Sequence, residues 1–192
     1  MLEDGGFWVF GYGSLIWRPG FEHVERRIAR LADHRRRFCV RSIRWRGTPE
    51  APGLVLGLDP EPGAETWGVA FRVAPEAAAE VRAYLHHREM GTKSYFERFE
   101  AVSFDCGTPA PALVYVMDPT HEQYVRLPLD AQAEIIARAE GAGGPNRDYL
   151  AETAAHLREL GLADPELDAL DARVRELLGR APRPAASRRS AP

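Results

Sequence analysis

The chain has 192 residues, 45% of them hydrophobic and 28% charged, the balance of one globular domain with a sizeable core and not of a disordered or fibrous polymer. Its 25 Lys and Arg stand against 28 Asp and Glu, a net charge of -3, so it is not built to neutralise phosphates and nucleic acid is not an expected partner. No apolar run approaches the roughly 18 residues that span a bilayer, and residues 1–6 carry two acids where a secretory leader would be basic and then apolar. A cytoplasmic location without a membrane partner is expected. Cys39 and Cys106 belong to no CxxC pair, which argues against a disulfide scaffold or a cysteine zinc site and leaves both as small core residues.

Residues 7–10, Phe7-Trp8-Val9-Phe10, lack polar alternation, as a short strand buried on both faces does, and Gly11 and Gly13 punctuate its end. Strand-like stretches follow at 24–31 and 36–45, then at 54–58 and 66–73, divided by Pro49, Pro52, Gly53, Pro60, Pro62 and Gly63. A helix is expected from Pro75, with Ala77, Val81, Tyr84 and Leu85 on one face and Gly91 as its terminator. Strands at 95–104 and 112–117 come next, then helices at 130–140, 145–160 and 165–178, each with a 3.6-residue apolar stripe. From Arg180 onward the chain has four Arg, three Pro and no acid, so residues 1–179 read as one domain and 180–192 as a disordered tail. Setting the tail aside leaves 21 bases against 28 acids, a body of charge about -7.

Three constellations could carry chemistry. The loop Gly11-Tyr12-Gly13-Ser14-Leu15-Ile16 follows a buried strand, and its glycines allow several N–H groups to converge on a carboxylate, phosphate or oxyanion; an ordinary strand-end turn has the same look. A dinucleotide fingerprint would need a glycine where Ile16 stands and a helix where Trp17-Arg18-Pro19-Gly20 breaks one.

Glu89 is reached by stepping Ala77, Val81, Leu85, Glu89 along the first helix, which places a carboxylate on the apolar stripe and in the last turn. Burial and the helix dipole both disfavour its charge there and raise its pKa toward the range of a proton shuttle, while Arg88 is expected to project about 100° away. The alternative is a helix that frays after His87 and a solvated Glu89.

Residues 26–46 hold nine arginines and one acid, Asp33, among Phe38, Cys39, Val40, Ile43 and Trp45. They read as solvated strand faces, as an RNA-binding strand, or, at Arg46, as a contact for an anionic substrate. The six histidines form no HExxH and Ser14 lacks the GxSxG spacing, so neither a metal hydrolase nor a serine hydrolase is indicated.

Taken together, Phe10-Gly11-Tyr12-Gly13-Ser14-Leu15-Ile16-Trp17, Arg46-Gly47-Thr48-Pro49, Trp67-Gly68-Val69-Ala70-Phe71, Arg88-Glu89-Met90 and Gly144-Pro145-Asn146-Arg147-Asp148-Tyr149-Leu150 resemble the ChaC-type, glutathione-specific γ-glutamylcyclotransferases over roughly residues 7–178. The resemblance implies an α+β fold, a compact mixed β-barrel with helices packed around it. It also implies a small-molecule substrate, glutathione, cleaved to 5-oxoproline and cysteinylglycine without a cofactor or metal. The family's loop for the γ-glutamyl group maps onto Tyr12, Gly13, Ser14 and Leu15, flanked by Gly11 and Ile16, and its catalytic glutamate maps onto Glu89. The five residues 90–94 before Tyr95 resemble the longer bacterial version of that spacer. Other readings are a cyclotransferase for different γ-glutamyl amines or peptides, and a non-catalytic module binding an acidic ligand or RNA.

Overall fold

The structure, a computed structural model, describes residues 2, 4–104 and 107–180. Cys106 and the basic residues beyond Arg180 lie outside the described residues. Five strands, β1 (Phe7–Gly11), β2 (Glu25–Ser42), β3 (Gly53–Val73), β4 (Tyr95–Phe104) and β5 (Pro109–Met117), close a barrel in the order β1-β3-β2-β4-β5. The neighbours in that order are antiparallel, and the barrel closes through a parallel pairing of β5 with β1 that sets Trp8 opposite Ala112. Helices α1 (Ala78–Glu89), α2 (Leu129–Arg138), α3 (Asn146–Glu159) and α4 (Pro165–Arg180) complete the expected mixed α+β architecture.

Two pairs of strands expected as separate are continuous. The breakers Pro60, Pro62 and Gly63 fall inside β3, where the register against β2 slips between Ala32 and His34. Opposite them Asp33 takes a left-handed φ of 57° and accepts the Gly63 N–H at 2.8 Å, so the prolines sit at a bulge that needs few ladder donors. Pairing along the remainder of both strands outweighs the local punctuation.

Three of the seven arginines of β2 face acids of β3. Arg30 meets Glu65, Arg35 meets Glu61 at 2.7 Å, and Arg37 meets Asp59 at 2.6 Å and Glu61 at 2.9 Å. Opposite charges across an antiparallel pair account for much of the composition of residues 26–46 without any external anion.

Strand β1 is buried on both faces, as its unbroken apolar run predicts. Trp8 and Phe10 enter the larger core with Leu150, Leu157, Leu167 and Leu170 of α3 and α4, whereas Phe7 and Val9 enter a smaller core under Val81 and Leu85 of α1. Fully burying such side chains stabilises the fold by about 1.5–3 kcal/mol each, which pins α1 beside the strand that feeds the glycine loop. Gly68 permits the close approach of β3 to the end of β1: a Cβ there would lie 2.3 Å from the Gly11 carbonyl oxygen.

Candidate active site

A 3-10 turn over Pro75–Ala77 precedes α1, which then runs to Glu89 without fraying after His87. Met90 N–H donates to the His86 carbonyl at 2.9 Å, and the left-handed residue that turns the chain away is Lys93, at φ 56°, not the expected Gly91. Val81 and Leu85 anchor the stripe in the smaller core, Tyr84 lies exposed, and Glu89 continues the stripe with a side chain only 19% exposed.

Arg88 departs from the expectation that it points away from Glu89. Its Nε pairs with Glu89 Oε1 at 3.0 Å, because a long side chain can curl back over a displacement that the backbone geometry alone would preserve. Its Nη2 donates to Ser14 Oγ at 3.0 Å, and its Nη1 to the carbonyls of Arg18 and Pro19 at 2.7 and 3.1 Å. One guanidinium thereby joins the end of α1 to the glycine loop.

Tyr12 and Tyr149 are buried and Tyr95 is half-buried; burial drives the phenols of Tyr12 and Tyr95 well above their ordinary value and that of Tyr149 up to about 12. The charge of Glu89 adds to all three shifts, so the carboxylate acts electrostatically on each phenol, and all three stay protonated near neutral pH. Glu89 is itself raised above the ordinary carboxylate value, chiefly by burial, with the Arg88 charge and hydrogen bond opposing the rise. Tyr95 is tied down by donating to the Leu56 carbonyl at 3.2 Å.

Within the loop, Ile16 N–H donates to Gly13 O at 2.9 Å and Arg18 N–H to Ser14 O at 2.9 Å, a tight turn that opens with Ser14 half-exposed. The Leu15 and Ile16 side chains are consumed by the two cores, so these residues have only backbone to offer a ligand. Gly13 faces the third tyrosine: a Cβ on it would lie 3.4 Å from the Tyr149 hydroxyl. Arg46 stands one side chain further out, its guanidinium 5.2 Å from the Tyr149 ring and donating to the Gly143 and Pro145 carbonyls at 2.5 and 3.3 Å.

Tyr149 reaches this place because Asn146, fully buried, grips the Leu54 backbone from both sides: Oδ1 accepts its N–H at 2.6 Å and Nδ2 donates to its carbonyl at 2.7 Å. Asn146 and Tyr149 lie in the block 144–150 that carries the family resemblance, which assigns neither a role. The signal was an amide three residues before an aromatic at a helix start, and it says nothing about which distant strand the amide will grip. Among the described residues no group of three or more His, Cys, Asp or Glu side chains is placed to hold a metal ion, and no helix is long and apolar enough to cross a membrane.

The family model for ChaC-like protein matches residues 7–177, from the first residue of β1 to the last turns of α4. The chain belongs to the ChaC-like family. The glutathione-specific γ-glutamylcyclotransferase of Escherichia coli is 36% identical over 180 residues, covering 92% of this chain and 76% of that protein. The enzyme of the same name from Schizosaccharomyces pombe is 35% identical over 196 residues, covering 92% and 96%. A crystal structure of a yeast γ-glutamylcyclotransferase specific to glutathione superposes with a TM-score of 0.82 at 28% identity, over 90% of this chain and 97% of that one. The barrel and its helices are therefore the ChaC-like fold.

Proposed function

We propose that this ChaC-like chain is a glutathione-specific γ-glutamylcyclotransferase in which Glu89 is the general acid and base and the 11–16 loop with Arg46 receives the substrate. The names of its relatives support the activity, and the observation that carries the residue assignment is the largely buried Glu89 carboxylate tied through Arg88 to Ser14 of the loop.

In this reaction the substrate's α-amine attacks its own γ-carbonyl, the γ-amide bond breaks, and a five-membered lactam and cysteinylglycine result. Holding the chain curled supplies about 7–11 kcal/mol of the barrier reduction, so no enzyme nucleophile is required. Two protons leave the attacking nitrogen on the way from ammonium to lactam, and two arrive at the departing nitrogen. One carboxylate that accepts and returns each in turn closes that balance.

An α-ammonium near pKa 7.7–8.0 gives its proton to an ordinary glutamate at a cost of about 5 kcal/mol, and every unit by which burial raises the acceptor recovers about 1.4 kcal/mol. The raised Glu89 pKa acts in the required direction. Backbone N–H groups of the loop meet the α-carboxylate or the developing oxyanion, where one well-placed donor contributes about 3 kcal/mol.

The direct test is chromatography of a mixture of the purified protein with reduced glutathione, run beside γ-glutamylalanine and γ-glutamyl-lysine. Cysteinylglycine and 5-oxoproline in equal amounts are expected from glutathione, with the other two turned over at least about tenfold more slowly. Release of 5-oxoproline from γ-glutamyl-lysine alone, or from none of the three, overturns the reading.

A further inference from the structure

Arg36, at 5% exposure, is the buried guanidinium of the arginine-rich strand. Its removal from water is tolerable only if its N–H groups are matched, and they are matched by backbone more than by acids. Nη1 donates to the carbonyls of Tyr12 and Trp67, each at 3.0 Å, and Nε donates to Asp164 Oδ2 at 3.2 Å. Asp164 is held in turn by the start of α4, its Oδ1 accepting the N–H groups of Glu166 and Leu167 at 3.1 and 3.3 Å. The Arg36 backbone N–H donates to Thr66 Oγ1 at 2.9 Å, and that hydroxyl donates to the His34 carbonyl at 2.9 Å. The head and the base of this side chain are thus both fixed.

Bracing the barrel would need only the contact with Trp67. The contact with Tyr12 does something else, because the peptide between Tyr12 and Gly13 belongs to the loop. In a planar trans peptide the C=O and N–H point in opposite directions. Tying the Tyr12 carbonyl to Arg36 therefore turns the Gly13 N–H away from Arg36. Gly13 has no side chain to restrain rotation on its own side, so without the guanidinium this peptide is free to flip and to set a carbonyl oxygen where an anion should meet an N–H.

We propose that Arg36 is a positioning residue: through the Tyr12 carbonyl it holds the peptide between Tyr12 and Gly13 in the orientation that offers its N–H to an anionic group of the bound γ-glutamyl moiety. The inference rests on the reading that the 11–16 loop receives that moiety. A groove of about 580 Å³ between β2 and α4, bordered by Arg36, Phe38, Leu127, Leu167 and Leu170, makes it testable by chemical rescue, because a small cation can enter where Arg36 is cut back.

The experiment uses Arg36→Ala in the full chain and reads glutathione turnover together with the Gly13 amide resonance. The expected result is a kcat loss of about 100-fold, as an ångström-scale misplacement produces, with a displaced Gly13 resonance; guanidinium chloride, but not sodium chloride or urea, restores both. A Gly13 resonance that stays in place overturns the role of Arg36 and leaves the loop reading standing. A displaced resonance with kcat within about threefold of the parent overturns both. Guanidinium that restores thermal stability without restoring kcat also overturns the proposal. If the alanine variant does not fold, Arg36→Lys, which keeps a cation beside Asp164 but has a single amine to share between two carbonyls, is expected to lose about tenfold in kcat, and full activity in it overturns the proposal.

Discussion

Asp59 and Glu89 are both carboxylates withdrawn from water, and they are provided for in opposite ways. Asp59, 1% exposed on β3, receives Arg37 at 2.6 Å, Arg126 at 2.8 Å and the Tyr124 hydroxyl at 3.0 Å. Glu89, 19% exposed at the end of α1, has one guanidinium at 3.0 Å and phenols that are themselves held neutral by burial. With three donors a buried charge becomes a strut, because its lone pairs are already matched. With one donor it keeps the capacity to take up a proton. The number of donors, more than the depth of burial, separates the structural acid from the one proposed to carry protons.

The sharpest way to break the contrast is to neutralise each acid. Glu89→Gln is expected to lower 5-oxoproline release at least about 100-fold, with a thermal midpoint at neutral pH no lower than that of the parent. Near-normal turnover would remove Glu89 from its role. Asp59→Asn should do the reverse, costing about 2 kcal/mol in denaturant titration by removing the buried charge that Arg37 and Arg126 share and leaving Arg37 with Glu61 alone, while turnover per folded molecule stays within about threefold. A catalytic collapse there would make the two acids alike.

Titration gives a subtler measure. The folded pKa of Glu89 is raised, so its contribution to stability is full below the ordinary carboxylate value and is lost as pH rises through the folded value. Differential melts should therefore show Glu89→Gln gaining on the parent as pH rises above the ordinary carboxylate value, and the acid limb of kcat/KM should lie above the ordinary glutamate value of about 4.3. Removing the opposing cation with Arg88→Met is expected to move that limb to higher pH and to lower kcat about tenfold by loosening Ser14. A limb moving to lower pH would show that Arg88 does not act on the carboxylate. The smallest effect belongs to Tyr95→Phe, which deletes the hydrogen bond to Leu56 and should cost about 1 kcal/mol in stability. A loss as large as that of Asp59→Asn would give Tyr95 more than this one bond to hold.

Much of this was legible in the chain order of residues. The run from Phe7 to Phe10 announces a strand buried on both faces, and the step from Ala77 through Val81 and Leu85 to Glu89 announces a carboxylate on an apolar stripe. Each of these signals depends on periodicity over a few neighbours, which the covalent chain enforces before any packing. Packing corrected the places where local signals competed with long-range pairing. Pro60, Pro62 and Gly63 read as a break, yet β3 continues past them because the ladder against β2 resumes on either side.

Tertiary structure alone decided which guanidinium meets which carbonyl. Nothing near Arg36 in the chain distinguishes it from Arg35 or Arg37, and its partners Tyr12, Trp67 and Asp164 come from three other segments. The same holds for Arg88 reaching Ser14 and for Asn146 delivering Tyr149 to the loop through Leu54. Periodic patterns record which face of an element leaves water. The pairing of specific polar groups across the barrel arises only after those faces have met, when each buried donor must find an acceptor within about 3 Å.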